Sequence, residues 1–333
     1  MYTIKITQAA SDKAFNRQLP KGDFVWKDCH FYINDDTCQE ADFWVICYQR
    51  LPNKKETCKV APENTIYVTW EPDSVWHFSR GFLNQFGKVI SCQEGLKHIN
   101  VVKDQPGLAW HIGMVRKNGI NHYNKTYDDF KTTSPVKTKL LSVISSNKAF
   151  TKGHRERMEF VQKLKEYFGD QMDVFGRGIR DFDDKWDVIA PYKYHICIEN
   201  CQQPYYFSEK FADSFLGEAF PFYYGCSNVD EYFSKDAYRA IDLHRPQEAI
   251  RIIEDSIREG LAEKNHEAVV KAKNQVLDEY NFFELVHKHI QGMNVDAKKE
   301  VVTIKDDLTF IDPYKFYAFG KRAVSNAIFK FSK

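Results

Sequence analysis

The chain has 333 residues, 43% hydrophobic and 28% charged, a length at which two hydrophobic cores with a cleft between them are the natural expectation. Lys plus Arg at 47 against Asp plus Glu at 46 leaves a net charge of +1, which excludes a global electrostatic field for a nucleic acid backbone. The 26 Phe, 18 Tyr and 6 Trp suit stacking on sugars or bases, although core filling accounts for most of them.

The N-terminus, MYTIKITQAASDKAF, lacks the basic-then-apolar pattern of a secretory signal. No run approaches the roughly 18 apolar residues of a spanning helix, so a cytoplasmic protein is expected. Four short apolar runs follow in the first part: YTIKI, ADFWVICYQ, NTIYVTW and GKVISC. They read as buried strands of an α/β sheet. The polar stretch TYDDFKTTSPVKTK from Thr126 to Lys139 reads as a linker.

Alternation then restarts: strand LLSVIS at 140–145, a helix over about 154–168, strand MDVFG, helix-like DFDDKWDVIA, strand YKYHICIEN, a helix from Ser208, and strand FPFYYG. Repeated β-α-β-α predicts a parallel, doubly wound sheet. In its first helix Phe160, Val161, Leu164, Tyr167 and Phe168 share one face by spacing. Two long helical stretches follow, 246–263 with Ala249, Ile252, Ile253 and Ile257 on one side, and 266–291. Domains are expected at 1–135, on the acceptor side, and at 136–265, on the donor side, with C-terminal helices and a tail over 266–333.

The cysteines form no CxxC pair and several sit in apolar runs, so free buried thiols are expected. Cys197 and Cys201 with His195 have no second cluster to make a metal site. The paired acids Asp35-Asp36, Asp128-Asp129, Asp183-Asp184 and Asp306-Asp307 read as solvated turns or caps rather than metal ligands.

The informative anomaly is where the cations sit. A helix N-terminus carries partial positive charge, so bases there are unfavourable unless an anion answers them. Lys152, His154, Arg155 and Arg157 stand at the start of one helix, and Lys210 follows Ser208, a plausible N-cap, at the start of another. In a parallel sheet both starts lie at the carboxyl edge, where open α/β sheets bind ligands. Together they form a candidate diphosphate site, against a plainer reading as a solvated basic face. No GxxxxGK[ST] loop occurs and DVFGRG is not GxGxxG, which removes the usual support for ATPase and dinucleotide readings.

Tyr194-His-Ile-Cys-Ile-Glu199-Asn200, then CQQPYY, then Phe207-Ser208-Glu209-Lys210 resembles the signature of glycosyltransferase family 10, the α-1,3/4-fucosyltransferases, in which an E-N motif precedes Y-x-T-E-K at this spacing. AFPFYYG, MDVFGRG and the helix from Arg157 to Leu164 are similar to further family elements. The resemblance is strong over about 140–245. In the first half it rests on Trp70-Glu71-Pro72, which looks like the family's E-S-P without its Ser. Ser208 stands for a usual Thr, and Cys201 for a usual Ser or Thr.

The resemblance implies an α/β fold of the GT-B type: two Rossmann-like doubly wound domains facing a cleft, with C-terminal helices. It implies an inverting transfer of L-fucose from GDP-fucose to a glycan hydroxyl, with no cofactor and no essential metal. A GlcNAc or Glc acceptor in a surface polysaccharide or lipopolysaccharide and an α-1,3 linkage are the favoured expectation. Glu71 would be the general base, and Lys210 and Arg157 would hold the diphosphate. Glu209 would accept from the ribose hydroxyls, while Asn200, Tyr206, Ser208, Gly176, Arg155 and Glu199 would complete the donor site. A base flanked by Trp70 would have its pKa raised toward neutrality, which suits general-base work, whereas a surface strand-end carboxylate is the plainer reading of Glu71. Glu199 either orders Lys210 or contacts the donor. Another nucleotide-sugar donor, or a non-catalytic nucleotide or glycan-binding module, remains open.

From Tyr314 the tail places Phe316, Phe319, Ala323, Val324, Ala327, Ile328 and Phe331 on one helical face, among Lys315, Lys321, Arg322, Lys330 and Lys333. Residues 314–333 therefore read as a basic amphipathic helix, either at a membrane surface, making the protein peripheral to the inner face of the membrane, or packed on their own domain.

Overall fold

The computed structural model describes residues 1–8, 12–47, 51, 53–118, 120–145 and 152–310. The amphipathic segment 314–333 lies outside the described residues, as do the side chains of Lys152 and His154. Two compact units are formed, one from Met1–Asp12, Phe24–Pro106 and Val286–Lys333, the other from Lys13–Asp23 and Gly107–Leu285. They do not follow expected cuts at 135 and 265. Trp110, Ile112 and Phe130 enter the same core as Leu141 and Phe160, which draws residues from 107 onward into the second unit.

The first unit contains β1 (Tyr2–Thr7), β2 (Val25–Trp26), β3 (Cys29–Ile33), β4 (Phe43–Cys47), β5 (Lys55–Val60), β6 (Thr65–Val68), β7 (Lys88–Ser91) and β8 (Val101–Lys103). Its seven-stranded sheet runs β2-β3-β1-β4-β6-β7-β8. Every pairing is parallel except the β2–β3 hairpin. The four runs read from sequence are β1, β4, β6 and β7. β4 and β6 are buried at every position, as strands covered on both faces must be. β3 and β5 escape the pattern because CHFYI and KETCKV mix polar with apolar residues; β5 pairs outside the main sheet, antiparallel to Glu300–Lys305. Two short helices precede the second sheet, α1 (Asp12–Asn16) and α2 (Arg80–Leu83), the latter capped by Ser79.

In the second unit the hairpin β9 (Met114–Lys117) and β10 (Ile120–Tyr123) leads to α3 (Tyr127–Thr132). The expected linker thus begins as a helix. Thr126 and Asp129 close a capping box, which accounts for the acidic pair, and Phe130 is fully buried against Trp110. Then come β11 (Lys139–Ile144), α4 (Lys152–Phe168), β12 (Met172–Phe175), α5 (Lys185–Ile189), β13 (Tyr192–Ile198), α6 (Glu209–Leu216), β14 (Phe220–Tyr224) and β15 (Arg239–Ala240). The predicted 246–263 helix is two, α7 (Pro246–Glu259) and α8 (Leu261–Lys264), because Gly260 takes φ 66° at the C-cap. The last stretch also divides, into α9 (His266–Asp278) and α10 (Phe282–Ile290).

The five strands run β12-β11-β13-β14-β15, all parallel. The chain steps from β11 outward to β12, then crosses back past β11 to β13. Right-handed crossovers put α4 on one face and α5 and α6 on the other, a doubly wound, Rossmann-like unit as expected. Reversal between β11 and β13 opens a topological switch point at their carboxyl ends, where such sheets bind ligands. The main sheet of the first unit follows the same order, setting aside the antiparallel β2, with its switch between β1 and β4.

All eight cysteines are free, seven of them buried. Asp307, expected in a solvated turn, is buried and accepts from the Ser79 backbone and hydroxyl. Tyr167 also departs from expectation. It is 53% exposed and bonds Glu254, while Phe160, Val161, Leu164 and Phe168 are buried. Leu164→Ala is therefore expected to cost about 2–5 kcal/mol of unfolding free energy, and Tyr167→Ala roughly 0.5 kcal/mol or less, measured by urea denaturation; equal losses would contradict this placement of α4.

Candidate functional site

At the carboxyl end of β13 the chain turns through Glu199 and Asn200, then returns to start α6 at Ser208. Glu199 is 2% exposed, and its carboxylate is taken up entirely by the next element: Oε1 accepts from the Ser208 backbone N–H at 2.7 Å, and Oε2 from the Ser208 hydroxyl at 2.7 Å and from Lys210 Nζ at 3.2 Å. Ser208 Oγ in turn caps α6 through the Lys210 N–H at 3.2 Å and accepts from Lys210 Nζ at 3.1 Å. Of the two roles open for Glu199, this geometry fits the ordering of Lys210.

Burial alone would disfavour the Lys210 charge, yet Glu199 and Glu209 outweigh it and raise the ammonium pKa above its usual value. Glu209, the first residue of α6, has its Oε1 at 3.4 Å from Lys210 Nζ, 3.6 Å from His111 Nδ1 and 3.9 Å from Lys185 Nζ. Burial opposes its charge, but Lys210, His111 and Lys185 hold the carboxyl far below the ordinary range. The anomaly read from sequence, a base at a helix start, is thus answered within the protein by two carboxylates.

Across the switch point Arg157, on the second turn of α4, donates from Nη1 to Asn200 Oδ1 at 3.1 Å. It is 7% exposed, its buried Nε has no hydrogen-bond partner among the described residues, and burial lowers its pKa against the pull of Glu199. Arg155 is exposed and lines a groove of about 900 Å³ with Ser145, Met158, Val161, Val174 and Arg180. Gly176, just past β12, has φ 142° and exchanges backbone contacts with Arg180. Tyr206 is buried. The structure therefore gathers Glu199, Asn200, Ser208, Glu209, Lys210 and Arg157 into one cluster. Glu71 belongs to the first unit: it follows β6, is partly buried, and its carbonyl accepts from Gln93 Nε2 at 2.8 Å.

Several residues of the cluster were not read from sequence. A Cβ on Gly225 would fall on Glu199 Cγ and on the Tyr223 hydroxyl, so the glycine after β14 is what lets Glu199 sit where it does. Lys185 at the start of α5 is another base in a first turn, and the rule that singled out Lys210 applies to it equally. Asp213 is fully buried on α6 and binds Lys185 Nζ at 2.7 Å; an acid inside an apolar helix face was its signal. His111 left none.

Among the described residues no group of His, Cys, Asp and Glu is arranged to hold a metal ion, and no helix is long and apolar enough to cross a membrane.

A solved α1,3-fucosyltransferase with GDP is 13% identical over 84% of this chain and 92% of its own, with a TM-score of 0.49; the same kind of enzyme with GDP-fucose gives 13%, 84%, 92% and 0.48. A glycosyltransferase from Rickettsia africae ESF-5 is 11% identical over 87% of this chain and 97% of its own, at 0.45. No curated protein matches the chain. Residues 134–254 match the family described as "Glycosyltransferase family 10 (fucosyltransferase) C-term", a span holding Arg157, Glu199, Asn200, Ser208, Glu209, Lys210 and Gly225. Residues 134–254 of the chain are accordingly similar to the C-terminal domain of glycosyltransferase family 10.

Proposed function

We propose that the chain transfers L-fucose from GDP-fucose to a hydroxyl of a glycan acceptor, with inversion at the anomeric carbon. The observation that carries this reading is the pair of cations at the switch-point edge: Arg157, buried with an Nε that finds no partner among the described residues, and Lys210 in the first turn of α6. A diphosphate gains negative charge as it departs, and a preorganised ammonium, guanidinium and helix N-terminus stabilise that charge without reorganisation. Glu199 and Ser208 fix the ammonium, and Asn200 fixes the guanidinium. The groove beside α4 has the volume of a small-ligand pocket and reaches the same edge at Ser145, which suits the nucleoside. Fucose as the sugar follows the family's description, and guanine follows the signature resemblance. Glu71, just past β6, is assigned as the base that takes the acceptor proton, so that the acceptor oxygen attacks the anomeric carbon as the bond to the diphosphate breaks.

Calorimetric titration with GDP, UDP, CMP and ADP, without added metal, tests the donor: preference for GDP is expected, and preference for another nucleotide would overturn the guanine assignment. Lys210→Ala should weaken GDP binding about 10- to 100-fold, the loss of one charge-assisted contact. Because this change strands buried Glu199, the double variant Glu199→Gln/Lys210→Ala serves as the folding control and should bind equally poorly. Glu71→Gln should leave GDP affinity unchanged and lower transfer from GDP-fucose roughly 10²-fold or more; undiminished turnover would remove Glu71 from the mechanism. Gly225→Ala should displace Glu199 and weaken GDP binding in the same direction as Lys210→Ala.

A further inference from the structure

The segment Trp110–Gly113 is held with unusual completeness. The N–H groups of His111 and Ile112 both donate to Asp213 Oδ1, at 3.0 and 3.1 Å, and that of Gly113 donates to Asp184 Oδ1 at 2.8 Å. Arg17, 4% exposed, donates to the carbonyls of Trp110, Ile112 and Gly113. Three buried charged side chains are thus committed to the backbone of four residues. Ile112 and Trp110 are core residues. The His111 side chain is 48% exposed, and its Nδ1 points to Glu209 at 3.6 Å.

The charges around it are balanced. Arg157, Lys185 and Lys210 face Glu199, Glu209 and Asp213, so the cluster is neutral when His111 is neutral. The packing around the ring, with Lys185 and Lys210, holds the imidazole pKa below its ordinary value, while Glu209 and Asp213 pull the other way. A diphosphate adds at least two negative charges beside Lys210 and drives the cluster negative. Protonation of His111, whose Nδ1 lies 3.6 Å from Glu209, is the nearest means of restoring balance.

We propose that His111 is a positioning residue of the donor site that acts through Glu209, taking up a proton when a nucleoside diphosphate binds. This rests on the diphosphate reading above. The sign follows from linkage: bound anion raises the His111 pKa, so affinity grows as pH falls through the bound-state value toward the lower free-state value, and at high pH only the contacts of the neutral imidazole remain. Each unit by which the pKa rises contributes up to about tenfold in affinity.

The test is titration of the full chain with GDP at pH 8, 7 and 6, in buffers of different ionisation enthalpy so that protons are counted. GDP's own phosphate titrates equally with every variant. His111→Asn keeps a hydrogen-bond donor near the Nδ1 position and removes the titration; His111→Ala removes both. Wild type is expected to take up more protons than either variant near pH 6.5. Its affinity should gain about threefold or more over His111→Asn between pH 8 and pH 6, with His111→Asn binding better than His111→Ala at pH 8. Proton uptake and pH profile unchanged in His111→Asn would overturn the inference while leaving the diphosphate site standing. If wild type fails to bind GDP, or Lys210→Ala binds as tightly, the underlying reading falls and this inference with it.

Discussion

The buried contact between Glu199 and Lys210 is the constraint on which the candidate site depends. A carboxylate with no exposed side-chain surface at the end of β13 is tolerable only if both oxygens are answered, and Ser208 and Lys210 answer them. In being held, Lys210 is fixed at the N-terminus of α6, and α6 is fixed in its entry angle off the sheet. One ionic contact thus sets helix start, side-chain direction and charge state together. Breaking such a pair by removing one member is costly, on the order of 3–5 kcal/mol, because the survivor is left charged and buried.

A second layer of buried charges supports the first. Asp213, one turn along α6 from Glu209, holds Lys185 of α5 and the backbone of His111 and Ile112, and Arg17 closes the same segment from the other side. Burial lowers the Arg17 pKa to about 10, against Asp213, Tyr123 and Asp184, so it stays charged at neutral pH. Segments distant in sequence, 17, 110–113, 184–185 and 209–213, are tied by charge-to-backbone hydrogen bonds, which carry more energy than neutral ones and also fix direction. Rigidity of this kind is what a site for a highly charged leaving group requires, since the stabilising dipoles must already be aimed.

The order of strands and the site's location follow from a shared cause. Parallel strands need crossover helices, and each helix starts at the carboxyl edge with its unpaired N–H groups facing out. Where the winding reverses between β11 and β13, the starts of α4 and α6 lie on opposite faces of one edge. Arg157 and Lys210 both feel the charge of Glu199 there because the topology brings the two helix starts to the same edge.

Much of this was legible in the residues. The second sheet's first four strands and the helices between them announce themselves through mostly apolar runs and 3.6-residue spacing, because strands of a parallel sheet covered on both faces are predominantly apolar. Lys210 and Arg157 stood out because bases near a helix start oppose the helix dipole. Tyr167 and the helix inside the expected linker were misread for local reasons: spacing fixes a direction on a helix but not how far the neighbouring elements extend over it, and a capping box in a polar stretch outweighed the proline beyond it. His111, Asp213, Arg17 and Gly225 were different. Their roles lie in contacts between residues tens of positions apart, and a lone acid, histidine or glycine carries no mark of its partner. Sequence by itself determined the doubly wound architecture and the cations that stand at the carboxyl edge of its sheet, since periodicity and the helix dipole are local physics. Only the tertiary structure decided which carboxylates answer those cations and that His111 faces Glu209, because burial and charge pairing are properties of the assembled core.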